Sequence, residues 1–177
     1  YETSGGLHGV GLSVVNALAD RLTVEVVRDQ NMWRQTYRRG VPDGPLKDDG
    51  TVRNRRGTTI NFHPDAKIFG PRNHFKPTTL YRMARSKAYL FRGVKIRWTC
   101  DETLLTAGDE TPAHGTLHFP GGLSDYLVST IRERKTITPQ PFVGQSKMND
   151  GSGKVEWAVA WPVDEDQFFN SYCNTVP

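Results

Sequence analysis

Residues Ser4 to Leu18 read SGGLHGVGLSVVNAL: four glycines, Gly5, Gly6, Gly9 and Gly11, fall within seven positions and a helix-like pattern follows at once. Backbone without a Cβ reaches left-handed conformations and lets a second surface approach its N–H groups closely. Beyond the glycines, Leu12, Val15, Ala19 and Leu22 recur at helical spacing, while Ser13, Asn16 and Asp20 fall off that stripe. A glycine-rich loop therefore feeds a helix N-terminus. Unpaired N–H groups there, with the positive end of the helix dipole, favour an anion, phosphate above all. The plain alternative is a flexible turn ahead of a glycine-tolerant helix start. Two familiar phosphate fingerprints do not fit. A P-loop needs Lys-Ser/Thr after its last glycine, and none follows Gly11; a dinucleotide fold needs a hydrophobic strand before the glycines, and the chain opens Tyr1-Glu2-Thr3. The pattern points to another nucleotide-binding design.

The 177 residues suffice for one core of ordinary size or for pieces of two domains. A hydrophobic content of 36% and a charged content of 24%, with four Trp, eight Phe and six Tyr, describe a folded, soluble chain rather than a disordered one. No apolar run is long enough to span a bilayer, and no signal-peptide pattern opens the sequence. Cys100 and Cys173 lie far apart with no Cys or His at metal spacing, the usage of a reducing cytoplasm without a zinc site. Each reads as a small buried apolar side chain. The formal charge of +4 is a modest excess. Arg34, Arg38 and Arg39, and Arg53, Arg55 and Arg56, form basic clusters that would suit a nucleic-acid surface or would simply be solvated strand ends. The sequence starts without Met and stops at Asn174-Thr175-Val176-Pro177 without a tail, as an internal segment of a longer protein would.

After the first helix, Leu22, Val24 and Val26 alternate with Thr23, Glu25 and Val27, and a turn at Asp29-Gln30-Asn31 leads to Trp33 and Tyr37 alternating with Arg34, Thr36 and Arg38. This reads as a β-hairpin with one buried face. The Pro/Gly/Asp stretch GVPDGPLKDDG, 40–50, reads as loop, and RRGTTINFHP returns as a third strand with Ile60 and Phe62 on one side. Pro77 suits a first helical turn, and Leu80, Met83, Ala84 and Ala88, with Leu90 and Phe91, mark a helix to a C′ glycine at Gly93. Val94, Ile96, Trp98 and Cys100 alternate with Lys95, Arg97 and Thr99 as a fourth, antiparallel strand. The segment 101–115 is polar and patternless. A new unit follows: strand TLHFP, a helix from Gly121 carrying Leu123, Tyr126, Leu127 and Ile131, a segment interrupted by Pro139 and Pro141, and a strand Val155, Trp157, Val159, Trp161 entered through the hairpin turn NDGSG. The sum is an α+β fold.

Together YETSGGLHGVGLSVVNALAD, RRGTTINFHPD, LYRMARSKAYLFRGVKIRW and HFPGGLSDYL resemble the ATPase subunit of bacterial type IIA topoisomerases, over essentially the whole chain. Within that family YETSGGLHGVGLSVVNAL and YRMARSKAYLFRG are closer to the B subunits of topoisomerase IV than to the paralogous B subunits of gyrase. The resemblance implies the C-terminal half of a GHKL (Bergerat-type) ATP-binding sandwich over residues 1–120, followed over 121–177 by the start of a transducer domain like domain 2 of ribosomal protein S5. It implies that Gly5 and Gly6 belong to the ATP lid, and that Gly6, Leu7, His8, Gly9, Val10 and Gly11 hold the phosphates through backbone N–H groups. Tyr1 then matches a lid tyrosine near the adenine, Thr58 a threonine that binds adenine through a carboxylate and water, and Arg28 the arginine at the pocket mouth where coumarin antibiotics lodge. Glu2 departs from a position often basic in gyrase.

The same resemblance places the glutamate base, the Mg2+-binding asparagine and the adenine-reading aspartate upstream of Tyr1, and a phosphate-sensing lysine downstream of Pro177. The expected function is accordingly that of an ATP-binding part of a topoisomerase B subunit, without a catalytic residue or a metal ligand of its own. Its expected cofactors are ATP and Mg2+. Its expected partners are DNA, the A subunit, a second B subunit on ATP binding, and coumarin inhibitors, in the bacterial cytoplasm and away from membranes. The competing reading is a basic, non-catalytic α+β module that binds nucleic acid or protein.

Overall fold

The structure, a computed structural model, describes residues 10–72, 74–106, 108, 110–148, 153–164 and 167–173. The fold is α+β, and the chain packs into two compact units, one ending at His74 and one starting at Phe75. This division follows packing alone and differs in position from the one the resemblance implies.

In the first unit a short helix α1 (Gly11–Leu18) runs without a loop into strand β1 (Ala19–Arg28). The helix is shorter than the stripe ending at Leu22 implied, because Ala19 turns extended at φ −98°, ψ 137°. A β-bulge at Asp20 explains the misleading spacing: Ala19 opposes Pro64, Arg21 opposes His63 and Leu22 opposes Phe62. One extra residue in a strand puts positions three apart on the same face, the spacing a helix also gives. Ala19 and Leu22 are accordingly both about 1% exposed.

Asp29 and Gln30 both have positive φ, 53° and 61°, and form a two-residue hairpin turn into β2 (Asn31–Arg38). Paired left-handed residues match the twist of the strands they join. Asn31 is therefore the first strand residue, opposite Arg28. The stretch 40–50 departs from its loop reading, since β3 (Val41–Pro42) and β4 (Lys47–Thr51) both pair with β2. Its Pro and Gly punctuation fits an edge: Gly50, at φ +85°, sits where the β2–β4 register slips, and its N–H donates to Asp48 Oδ1 at 2.9 Å. Strand β5 (Gly57–Pro64) lies on the other side of β1, giving the order β3-β2-β1-β5 with β4 also on β2. Registers place Leu22, Val24 and Val26 on one face with Trp33, Tyr37, Ile60 and Phe62. Val27, on the opposite and more polar face, is nevertheless 2% exposed.

The turn after β5 is pinned by one carboxylate. Asp65, 2% exposed, caps the single-turn helix α2 (Ala66–Phe69) by accepting from the Lys67 N–H at 2.9 Å, and takes a two-pronged ion pair from Arg39. The Arg39 guanidinium and then the Lys67 N–H hold its carboxyl down at about 2 against an ordinary 3.8. A depressed folded-state value adds stability above the unfolded value, lost as pH falls from about 4 towards 2. We expect Asp65→Asn, which keeps a capping oxygen but not the charge, to be less stable than the parent at pH 7. The gap should close between about pH 4 and pH 2 in urea titrations. A gap constant from pH 7 to pH 2 would contradict the assignment.

The second unit opens with α3 (Pro77–Leu90), Pro77 occupying the first turn where a missing N–H costs nothing. The helix stops at Leu90, three residues before Gly93, as Phe91 leaves the helical region at ψ 89°. Its buried line is Ser86, Ala88 and Tyr89, whereas Met83, assigned to the apolar stripe by spacing, is 55% exposed. β6 (Lys95–Thr99) pairs antiparallel with β7 (His114–His118), so pairing crosses the segment 101–113 that had no pattern. That segment is held locally: a 3₁₀ turn, Glu102–Leu104, is capped by Asp101, and Trp98 Nε1–H donates to Pro112 O at 2.8 Å. α4 (Leu123–Ile131) buries Leu127 and Ile131, as its stripe implied. The Tyr126 ring stacks on Tyr89 at 3.9 Å, inside an aromatic cluster with Phe119 and Tyr172. The Tyr89 hydroxyl shares a hydrogen bond with Tyr172, and burial pushes its ionisation well above the ordinary range.

β8 (Phe142–Lys147), hidden in sequence by the neighbouring prolines, pairs antiparallel with β9 (Lys154–Val159). Most of the NDGSG turn lies outside the described residues; Met148 N–H closes it on Gly153 O at 2.9 Å. Trp161 falls beyond β9, its carbonyl accepting from Ile137 N–H at 2.8 Å beside an isolated Thr136–Pro162 bridge. Among the described residues no helix is long and apolar enough to cross a membrane.

Candidate functional site

α1 begins on Val10, whose φ −97° and ψ −1° are already near helical and whose side chain cannot cap. The first intrahelical bond, Val14 N–H to Val10 O at 2.9 Å, leaves the N–H groups of Gly11, Leu12 and Ser13 ahead of it. No acidic side chain lies in this turn. A surface helix ordinarily places Ser, Thr, Asp or Asn at this point and carboxylates just after it. Here nothing within the helix takes the donors. A Cβ built on Gly11 meets no atom within 4 Å. Tyr1, Gly5, Gly6, Leu7, His8 and Gly9, the rest of the expected phosphate and lid set, lie outside the described residues.

Thr58 and Arg28 are brought together by register. Thr58 on β5 opposes Val26 on β1, and Arg28 follows two residues along β1, hence on the same face. Trp33 on β2 opposes Val26 from the other side. The Arg28 side chain is 80% exposed at the end of the hairpin, its Nε 3.5 Å from Asp29 Oδ2. The face therefore presents a hydroxyl, a guanidinium, an indole and a valine. The resemblance singled out Thr58 and Arg28; that Val26 and Trp33 share their face depends on which strands are neighbours.

The basic clusters of this unit resolve differently from a nucleic-acid surface. Arg34 joins Glu25 at 3.0 Å and Asp49 at 3.1 Å, Arg38 joins Asp43 at 2.9 Å, Arg39 joins Asp65, and Arg55 joins Glu25 at 3.0 Å. The Arg55 hydrogen bond, with Arg34 beside it, holds the Glu25 carboxyl below the usual carboxylate range. A depression lined by Asp20, Arg21, Arg38, Arg39 and His63 has the same mixed character, with His63 Nδ1 3.1 Å from Asp20 Oδ1. Four of the six arginines are thus neutralised within the fold. Among the described residues no group of three or more His, Cys, Asp or Glu is placed to hold a metal.

An uncapped helix start runs straight into an inner strand of an antiparallel sheet, in an α+β unit. No family model matches the chain. It is 49% identical over its whole length to the B subunit of DNA topoisomerase 4 from Bartonella bacilliformis, and 50% identical to that of Caulobacter vibrioides. The protein of the same name from Pseudomonas aeruginosa is 36% identical. The chain spans about a quarter of the length of these curated relatives, 25%, 26% and 27% respectively. Among solved structures it resembles the B subunit of DNA gyrase from Myxococcus xanthus, with TM-score 0.74 and 25% identity over 93% of this chain and 46% of that one. It also resembles the 43K ATPase domain of Thermus thermophilus gyrase B, crystallised with an aminocoumarin, with TM-score 0.65 and 28% identity over 80% of this chain and 37% of that one. The chain belongs to the B-subunit family of bacterial type IIA DNA topoisomerases.

Proposed function

We propose that the chain is the ATP-lid half of the nucleotide-binding domain, residues 1–120, with the start of the transducer, 121–177, of a B subunit of the topoisomerase IV type. The whole protein binds ATP with Mg2+, pairs around the nucleotide with a second B subunit, and couples hydrolysis to passage of one DNA duplex through another. Decatenation and supercoil relaxation follow, with the A subunit of topoisomerase IV cutting the DNA, in the bacterial cytoplasm. The observation that carries this reading is the uncapped, acid-free first turn of α1 behind a glycine run. Its N–H groups donate to phosphate oxygens, with Gly5, Gly6, Leu7, His8 and Gly9 extending the cradle and Tyr1 closing it from the adenine side. Mg2+, when bound, would offset part of the triphosphate charge, held by ligands that the resemblance places outside this chain. Thr58 orients the adenine through a carboxylate and water. Arg28, on the same face and free to reach outward, meets coumarin inhibitors at the mouth.

The test is Gly11→Val in the full-length protein. Since a Cβ there meets no atom within 4 Å, the substitution adds a branched side chain beside the first turn without a clash among the described residues. Losing one or two charge-assisted hydrogen bonds weakens binding by roughly ten- to a hundred-fold. We expect that loss in titrations with a fluorescent ATP analogue, with the thermal midpoint of the apo protein unchanged. Undiminished nucleotide affinity would refute the assignment.

A further inference from the structure

The β6–β7 ribbon has an exposed outer face without a carboxylate. Registers pair Lys95 with His118, Arg97 with Thr116 and Thr99 with His114, which sets all six side chains on one side. All six are exposed. The inner side is committed to the core: Leu117 is 6% exposed, and Trp98 meets the Tyr81 ring edge-on at 5.4 Å. The ribbon therefore cannot roll to hide its outer residues. None of the six is acidic, and neither Lys95 nor Arg97 has an ion pair among the described residues. The acids nearest in sequence, Asp101, Glu102, Asp109 and Glu110, belong to the connecting segment, and Asp101 already accepts from the Thr103 N–H at 2.9 Å and hydroxyl at 2.8 Å. His118 contacts Val94 O through Nδ1 at 3.3 Å, which leaves Nε2 for an outside group. In the first unit, by contrast, Arg34, Arg38, Arg39 and Arg55 each meet a carboxylate.

We propose that this face is a contact surface for the phosphate backbone of duplex DNA. Two cations about 7 Å apart along one strand, flanked by hydroxyl and imidazole groups, offer what phosphate oxygens accept: charge, and donors that carry no sequence information. The face has no Asn or Gln to read adenine edges, so recognition is of the backbone. A two-stranded ribbon is narrow enough to lie along a groove of B-form DNA with both strands in reach of the phosphates. The inference rests on the topoisomerase reading above, and it names where on this chain the DNA lies.

The experiment compares the full-length protein with its Lys95→Ala/Arg97→Ala double variant, titrated with a random-sequence 40-base-pair duplex between about 50 and 200 mM salt. Each phosphate contact contributes about 0.9 to the salt slope. Losing two should make the parent shed roughly twelve-fold more affinity than the variant over that range. Lys95→Arg/Arg97→Lys should restore the parental slope, and binding of a fluorescent ATP analogue should be the same in all three proteins. Equal slopes with nucleotide binding intact overturn the ribbon assignment alone. A variant that keeps duplex affinity but loses affinity for poly-glutamate overturns it in favour of an acidic protein partner. A parent protein that binds neither nucleotide nor DNA overturns the reading beneath it, and the ribbon assignment with it.

Discussion

Leu22→Ala should cost the first unit about 3 kcal/mol. Leu22 lies on the central strand β1, between Tyr37 of β2 and Phe62 of β5, and is about 1% exposed. Only Leu22 and Val27 are both large and fully buried among the described residues. Truncation there removes apolar contact on both flanks and leaves a cavity that two hydrogen-bonded neighbours cannot close by sliding inward. Phe62→Ala removes a larger side chain, yet Phe62 is 40% exposed, so less of it leaves water on folding and its loss should be nearer 1 kcal/mol. Urea unfolding followed by Trp33 fluorescence ranks the two. A greater loss for Phe62 than for Leu22 would show that the sheet face is covered far more closely than these exposures state.

Gly144→Val should open the β8–β9 hairpin. Gly144 stands directly opposite Trp157, and the Trp157 ring lies across the glycine, so an added Cβ would fall inside the van der Waals radius of its ring carbons. Two effects compete. Valine has the better strand propensity, on a scale spanning about 1 kcal/mol. Displacing a packed ring costs about 1 to 3 kcal/mol. Displacement wins, because the indole occupies the very volume the branched side chain needs and also packs against Phe142 at 6.4 Å. The amides of Phe142 to Lys147 should then exchange at least several-fold faster and Trp157 emission should shift to the red. Slower exchange in the variant would mean that propensity outweighs the ring contact.

Periodicity located the elements with a single hydrophobic stripe, such as α4 with Leu127 and Ile131 and the hairpin of β1 and β2. It failed where pairing partners decide. The bulge at Asp20 gave Ala19 and Leu22 a helical spacing inside a strand. β3 and β4 carry turn residues because they lie along the outer edge of β2, and an edge tolerates Pro and Gly where a central strand does not. β7 was read as the opening of a new unit because its partner, β6, lies beyond a patternless segment that local caps hold in place. The site follows the same logic. Glycine spacing alone raised the expectation of a phosphate cradle, a local property, and of that glycine run the described residues include only Val10 and Gly11 at the start of α1. That Thr58 and Arg28 share a face, and that Arg34, Arg38, Arg39 and Arg55 spend their charge on neighbours, depends on register and on carboxylates remote in sequence. The alternation of Lys95, Arg97 and Thr99 was visible, but without β7 opposite them it was half of a surface.

The joint between α1 and β1 is a splice without slack. Ala19 ends the helix, begins the strand and accepts a hydrogen bond from Arg39 N–H at 3.1 Å, while Leu18 O accepts one from Asp65 N–H at 2.9 Å. The end of β2 and the end of β5 are thereby tied to the same two residues. A load applied at the first turn of α1 has no hinge at 18–19 in which to dissipate, so it is borne by three strands together. Under the proposed function, a phosphate held at the first turn of α1 would therefore pull on β1, β2 and β5 through two adjacent residues.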